Sequence, residues 1–272
     1  MYHELTHSIR RSKVLEKIRS GKIACSIKVN VSGQEATEIA AMSGFDCVWT
    51  CMEHCPTSID TVKKQVAVCK APDADLLVRV PRGSYSEYIR PLEMDATGII
   101  VPHVMSLEDA KHIVSQTRFQ PIGRRPVDGG NGDGQYGLLS IPEYLRQSNE
   151  NKMVILQIED PEPLERDLEA ICELHGYDIL FFSPGDFSHI TGHADDIMHE
   201  DVIAARRKIA RAARKYGKPL GTVCVGDPRI LIDEGFQLLN LGSDVNALTS
   251  FYREKRRGFY ELLGCVYTRQ VI

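Results

Sequence analysis

The 272-residue sequence has no apolar run near the roughly 18 residues a membrane span needs, and its opening, MYHELTHSIRRSK, lacks the apolar core of a signal peptide. Nor does charge of one sign dominate: 33 Lys and Arg face 37 Asp and Glu, a formal net charge of −4, and the basic residues are dispersed apart from a small cluster at Arg253 to Arg257. A nucleic-acid or membrane surface needs a denser basic patch, so neither is an expected partner. The CxxC pair that marks zinc or redox motifs is missing too. Eight cysteines remain, and Cys25, Cys47, Cys51 and Cys224 fall in apolar strand-like runs, where a reduced thiol behaves as a small hydrophobe. Free thiols and a cytoplasmic protein are expected. No linker divides the chain, so residues 1–272 are expected to form a single domain.

Eight short, near-continuously apolar runs recur: 23–29, 46–51, 75–80, 98–102, 153–159, 178–183, 219–225 and 236–242. Strands buried on both faces of a parallel sheet read this way. Helical patterns lie between them. Ser32 with Glu35 and Ser84 with Glu87 fit the capping box, Ser106 with Asp109 is a weaker version, and Asp227 with Pro228 offers a cap and a first helical residue. Gly44, Gly217 and Gly235 stand where helices should stop. About eight β/α alternations predict an α/β fold of the TIM (β/α)8 barrel type, with a doubly wound open sheet as the alternative.

In a barrel the chemistry sits where strands end, and four polar groups end these runs. His54 beside Glu53 follows the second run, Arg79 ends the third, Glu159 closes the fifth and Asp186 follows the sixth in FFSPGDFS. Each has a plain structural reading: Asp186 as a helix cap, Arg79 as the buried half of an ion pair with Glu53 or Glu159. Together they make chemical sense. Glu159 and Asp186 form an oxygen-rich half-shell suited to Mg²⁺ or Mn²⁺. Arg79 offers a fixed positive fork to an oxygen that becomes negative on enolisation, SPGD presents backbone amides to a carboxylate, and His54 is the proton shuttle. A small 2-oxo acid is the expected ligand. His103 in VPHV ends the fourth run and lines the mouth, whereas His189 and His193 of HITGH read as loop residues. No lysine is expected at the strand ends, which counts against an imine mechanism.

GDGQYG, Gly132 to Gly137, matches GxGxxG but lacks the strand before it and the dinucleotide-binding unit around it. It lies in the longest irregular stretch, 119–142, and is read as a mobile lid. From Asn246 to Leu263, Leu248, Phe251, Tyr252, Phe259, Leu262 and Leu263 fall on one face of a helix that needs a partner surface.

GFDCVWTCMEHCP, LLVRVP, ATGIIVPHV, VILQIED and FFSPGDFSHITG, in that order, resemble the HpcH/HpaI family of metal-dependent 2-oxo acid aldolases, over roughly Gly21 to Gly264. The resemblance implies a TIM barrel assembled into trimers or hexamers, often with the last helix, here 246–264, exchanged between subunits. It implies a divalent metal, Mg²⁺ or Mn²⁺ with Co²⁺ a third choice, on Glu159 and Asp186. Arg79 matches the arginine that steadies the pyruvate enolate and His54 the catalytic base. Gly185 and Asp186 would lend amides to the pyruvate carboxylate, and Gln157 would sit close to the metal. The implied reaction is reversible cleavage of a 4-hydroxy-2-oxo acid to pyruvate and an aldehyde, through a metal-bound pyruvate enolate. Two departures stand out: Cys51 replaces the aspartate that usually precedes the histidine by three residues, and GRRP, Gly123 to Pro126, replaces glycine, any residue, arginine, glycine. An oxaloacetate decarboxylase on the same site and a barrel that binds a metabolite without turnover are the competing readings.

Overall fold

The computed structural model describes residues 7–263. Eight parallel strands pair in sequence order and close into a barrel, with helices between them. In chain order the elements are α1 (Lys13–Arg19), β1 (Ala24–Val29), α2 (Gln34–Met42), β2 (Cys47–Cys51), α3 (Ile59–Lys70), β3 (Asp75–Arg79), α4 (Tyr85–Glu93), β4 (Gly98–Val101) and α5 (Leu107–Thr117). There follow a short 3₁₀ segment (Gly132–Gly137), α6 (Ile141–Asn151), β5 (Met153–Ile158), α7 (Pro161–Arg166), α8 (Leu168–Glu173), β6 (Ile179–Phe182), α9 (Pro184–Ile190), α10 (Glu200–Lys215), β7 (Leu220–Val223), α11 (Pro228–Glu234), β8 (Phe236–Ser243) and α12 (Asp244–Leu262). All eight strands fall within the apolar runs, or within a residue of them, and the open-sheet alternative is excluded by the β1–β8 pairing.

Strand alternation sorts the apolar residues into two shells. Val48, Leu76, Val78, Ile99, Leu156 and Phe182 face the helices. Cys47, Trp49, Leu77, Ile100, Ile155 and Phe181 fill the barrel interior, where Trp49 and Phe181 meet edge-on at 5.5 Å. Gly221 of β7 leaves room there, since a Cβ would lie 2.6 Å from the Phe181 ring. Val14, Leu15 and Ile18 of α1 close the bottom of that inner shell. The buried Asp75 carboxylate at the foot of β3 holds α1 there, accepting from Ser12 Oγ at 2.7 Å and from the amide of Val14 at 2.9 Å.

The helix signals hold unevenly. Ser106 Oγ caps α5 through the Asp109 amide at 3.1 Å and Asp227 caps α11, but Ser84 makes no side-chain cap, and Gly33 takes the N-cap position expected to be set by Ser32. Gly44, Gly217 and Gly235 all have positive φ where their helices stop.

The lid expectation is overturned by topology. Residues 118–140 link the lower end of α5 to α6 and hence to the start of β5, so they lie at the face opposite the strand C-termini. They are also pinned: Asp133 Oδ2 accepts from Arg125 Nη2 and from Tyr144 Oη, each at 2.8 Å, with both charged side chains fully buried. The seven described cysteines are free thiols; Cys265 and the tail after Leu263 lie outside the described residues.

Candidate active site at the barrel mouth

Parallel pairing sets the register that brings the polar groups together. Cys51 lies beside Arg79 across β2 and β3, and β5 beside β6 places Glu159 and Asp186 just past adjacent strand ends. Both side chains of the first pair are buried. Arg79 Nε donates to Cys51 Sγ at 3.3 Å and stands 2.9 Å from Glu53 Oε2, so the guanidinium gains the anionic partner its burial demands. Trp49 lies under it, 5.3 Å from ring centroid to guanidinium carbon.

Glu159 is almost wholly enclosed, its side chain 1% exposed. Gln157 Nε2 donates to its Oε2, while the His103 amide donates to Oε1 at 2.7 Å. Burial, the largest influence, raises the Glu159 carboxyl to about 7, and the facing Asp186 carboxylate adds to that by sharing its proton. Burial pushes Asp186 upward as well. Hydrogen bonds from Ser183 Oγ, at 2.9 Å, and from Glu159, with the positive charge of Arg79 and the neighbouring His103 ring, outweigh it and hold Asp186 below the usual carboxylate range. The two acids are therefore close enough to share one proton and have been driven apart in acidity, as two carboxyls in one small space must be.

His54 sits higher on the rim. Its side chain is 60% exposed, its Nε2 is 3.3 Å from Glu53 Oε2, and its own amide donates to Cys51 Sγ at 3.3 Å. With Cys51 bound to backbone and to Arg79, the carboxylate partner of this imidazole is Glu53.

Two residues matter more than the sequence suggested. His103, with φ of 50°, turns its ring to within 3.1 Å of Glu159 Oε1, 3.5 Å of Asp160 Oδ2 and 3.7 Å of Glu53 Oε1. Its place at the end of β4 was the available signal. Among the described residues no strand ends in a lysine, but Lys28, the penultimate residue of β1, also reaches the mouth, with Nζ 5.6 Å from the Trp49 ring centroid. Burial, and next the charge of Arg79, lower its pKa. Arg79, Glu53, His54, His103, Glu159 and Asp186 thus form one continuous polar cluster, and Gln157 supports it from the layer below.

The donor set at the Glu159–Asp186 corner fits a hard divalent cation. It consists of oxygens, burial raises one of its carboxyls to about 7 so that a cation would compete with a proton there, and Gln157 Oε1 is buried without a hydrogen-bond partner.

The model of the HpcH/HpaI aldolase/citrate lyase family matches residues 29–250. The chain belongs to that family. The 5-keto-4-deoxy-D-glucarate aldolase of Klebsiella pneumoniae subsp. pneumoniae is 30% identical over 217 residues, covering 79% of this chain and 84% of the relative. An HpcH/HpaI aldolase from Desulfitobacterium hafniense DCB-2 superposes with a TM-score of 0.85 at 26% identity, covering 90% of this chain and 96% of that one. The citrate synthase SbnG gives a TM-score of 0.80 at 25% identity, covering 90% and 98%. Both solved structures share the barrel over 90% of this chain.

Proposed function

We propose that this protein is a divalent-metal-dependent carbon–carbon lyase that cleaves a 4-hydroxy-2-oxo acid reversibly into pyruvate and an aldehyde. One observation carries the reading: Glu159 and Asp186 face each other at adjacent strand ends in an all-oxygen corner, with the Arg79 guanidinium within electrostatic range of Asp186. Glu159 and Asp186 would hold Mg²⁺ or Mn²⁺, with Gln157 beside them. When bound, such an ion supplies a Lewis acid that polarises the 2-oxo group.

The protein's own residues do the rest. The first-turn amides of Gly185 and Asp186, which have no acceptor within α9, receive the substrate carboxylate. Arg79, fixed by Glu53 and Cys51, aims its fork at the oxygen on which negative charge develops. His54 takes the proton from the 4-hydroxyl during cleavage and delivers it to C3 of the departing pyruvate, reversing both transfers in condensation, and Glu53 stabilises the imidazolium. His103 locks Glu159 in place through its amide. The relative named above makes 5-keto-4-deoxy-D-glucarate the first compound to assay. The uncovered face of α12, together with the family resemblance, supports a homo-oligomer, trimer or hexamer, for the working enzyme.

Lys28 favours a second reading, in which its amine forms an imine with the 2-oxo group, since a lowered pKa in a cationic pocket is how such lysines are activated. Pyruvate in heavy water separates the two. The metal reading expects loss of the methyl proton signal that requires Mg²⁺, stops with chelator and stops in His54→Ala, with no mass gain after borohydride reduction. Exchange that survives chelation, with pyruvate trapped on Lys28, overturns it. Oxaloacetate decay without methyl exchange would instead assign a decarboxylase.

A further inference from the structure

The segment HITGHADDIMHED, residues 189–201, joins α9 to α10 and lies outside the polar cluster of the mouth. We propose that His193, His199 and Asp201 form a second cation site, for a borderline transition ion such as Zn²⁺, that fastens the α9–α10 connection. His193 Nε2 is 2.9 Å from Asp201 Oδ2, His199 Nδ1 is 3.5 Å from the same oxygen, and one ligand atom from each residue lies within 4.8 Å of the others. A tetrahedral Zn²⁺ with bonds of about 2.0–2.1 Å spaces its ligand atoms roughly 3.3 Å apart. The two separations from Asp201 Oδ2 bracket that value. The two imidazoles stack with centroids 3.4 Å apart and planes 13° from parallel; ring-nitrogen lone pairs lie in the ring plane, so one ring would turn out of the stack to ligate the same ion as the other.

The donor set is chemically unlike the first corner. Two imidazoles and one carboxylate select Zn²⁺, Co²⁺ or Ni²⁺ over Mg²⁺, whereas the oxygen set at Glu159 and Asp186 suits Mg²⁺ or Mn²⁺. The site lies at the start of α10, where the helix dipole opposes a cation. Asp201 itself, with Glu200 in the same turn and Asp196 in the loop, outweighs that half-charge. His199 Nδ1 now accepts only a long 3.3 Å bond from the Asp201 amide, which a cation would displace. The His193 amide donates to Ser188 O of α9 at 2.7 Å, so an ion held by His193 and the α10 residues would join both helices. Asp186 stands on the first turn of α9, which makes the proposed ion a brace for the mouth.

The test uses the full-length Glu159→Gln/Asp186→Asn protein, which isolates this site from the other. Titration with Zn²⁺ is expected to show one ion per chain, and Co²⁺ to give a visible absorption band of tetrahedral type. Adding His193→Gln should weaken Zn²⁺ binding by at least about tenfold and abolish the Co²⁺ band. His199→Asn, which keeps a side chain able to cap α10, should do the same. Unchanged Zn²⁺ affinity in both variants overturns the proposal, as does failure of Zn²⁺ to shift the His193 and His199 imidazole resonances of the unsubstituted protein, a readout that does not depend on how the variants fold.

Discussion

Glu159 sets the behaviour of the mouth with pH. Its carboxyl is raised to about 7 from the ordinary 4.5, so between those values the metal-free folded protein binds a proton that the unfolded chain has lost. The sign follows: the stability of the metal-free protein falls as pH rises through that window, and a cation that displaces the proton restores it. Calorimetry in buffers of different ionisation enthalpy should show close to one proton released per Mg²⁺ bound at pH 6 and few at pH 8, and Glu159→Ala should lose binding altogether. Proton release that does not vary across that range would remove Glu159 from the metal site. Arg79→Lys tests the guanidinium in the same spirit. An ammonium cannot bridge Glu53 and Cys51 while aiming a second donor at the substrate, so turnover should drop by about 10²-fold with the protein still folded. Arg79, Glu159 and Asp186 were legible in the sequence because a charge closing an apolar run needs a partner. His103 was legible only as a residue lining the mouth, and Lys28 was not legible. The part His103 plays depends on a left-handed backbone and an amide, which leave no mark in residue type. Lys28 was hidden by standing one place before the end of its strand, at a position where only the inward parity of β1 puts its ammonium over Trp49.

Among the elements, the strands were readable and the 119–142 connection was not. Burial on both faces writes a continuous apolar run, whereas the connection carries turn residues that fit either a mobile lid or a pinned loop. Its place was nonetheless available from topology, since any segment that leaves a helix to enter a strand of such a barrel lies at the face away from the chemistry. The Ser32 capping box failed for a local reason. Gly33 takes the extended N-cap conformation one residue later, and no side chain caps α2. The buried Arg125–Asp133 pair supplies the test of the pinned loop. Asp133→Ala leaves a guanidinium with no exposed surface without its hydrogen-bonded counter-charge, the more remote Glu93 being left to face it, which costs about 3–5 kcal/mol. Denaturant unfolding should show that loss, while the kcat of the remaining folded protein should stay within about twofold, as its site is at the opposite face. A lid would give the reverse, with stability kept and turnover changed. Ser106→Ala, which removes the α5 cap, should cost a smaller amount, about 1 kcal/mol.

At the scale of the whole molecule, α12 is the element that the barrel does not complete. Its start is tied down, with Asp244 accepting from the amides of Asn30 at 2.8 Å and Val31 at 3.0 Å, yet none of its 19 residues is buried. Phe251, Tyr252, Phe259, Leu262 and Leu263 are each more than half exposed. Burying one such side chain contributes about 1.5–3 kcal/mol, so a face of five leaves more apolar surface in water than a lone barrel has reason to keep. A homo-oligomer in which α12 packs on a neighbouring subunit resolves this. Sedimentation should then find a trimer or hexamer at micromolar concentration. Phe251→Glu, which both removes an anchor and places a charge in the contact, should weaken association by more than about 10²-fold, equivalent to about 3 kcal/mol, and shift the protein toward monomer. The barrel itself should survive, because Phe251 lies two turns beyond the Asp244 tether and is more than half exposed, outside the clusters that form the core. An unsubstituted protein that sediments as a monomer at every concentration would leave α12 without that partner and would require another cover for its apolar face.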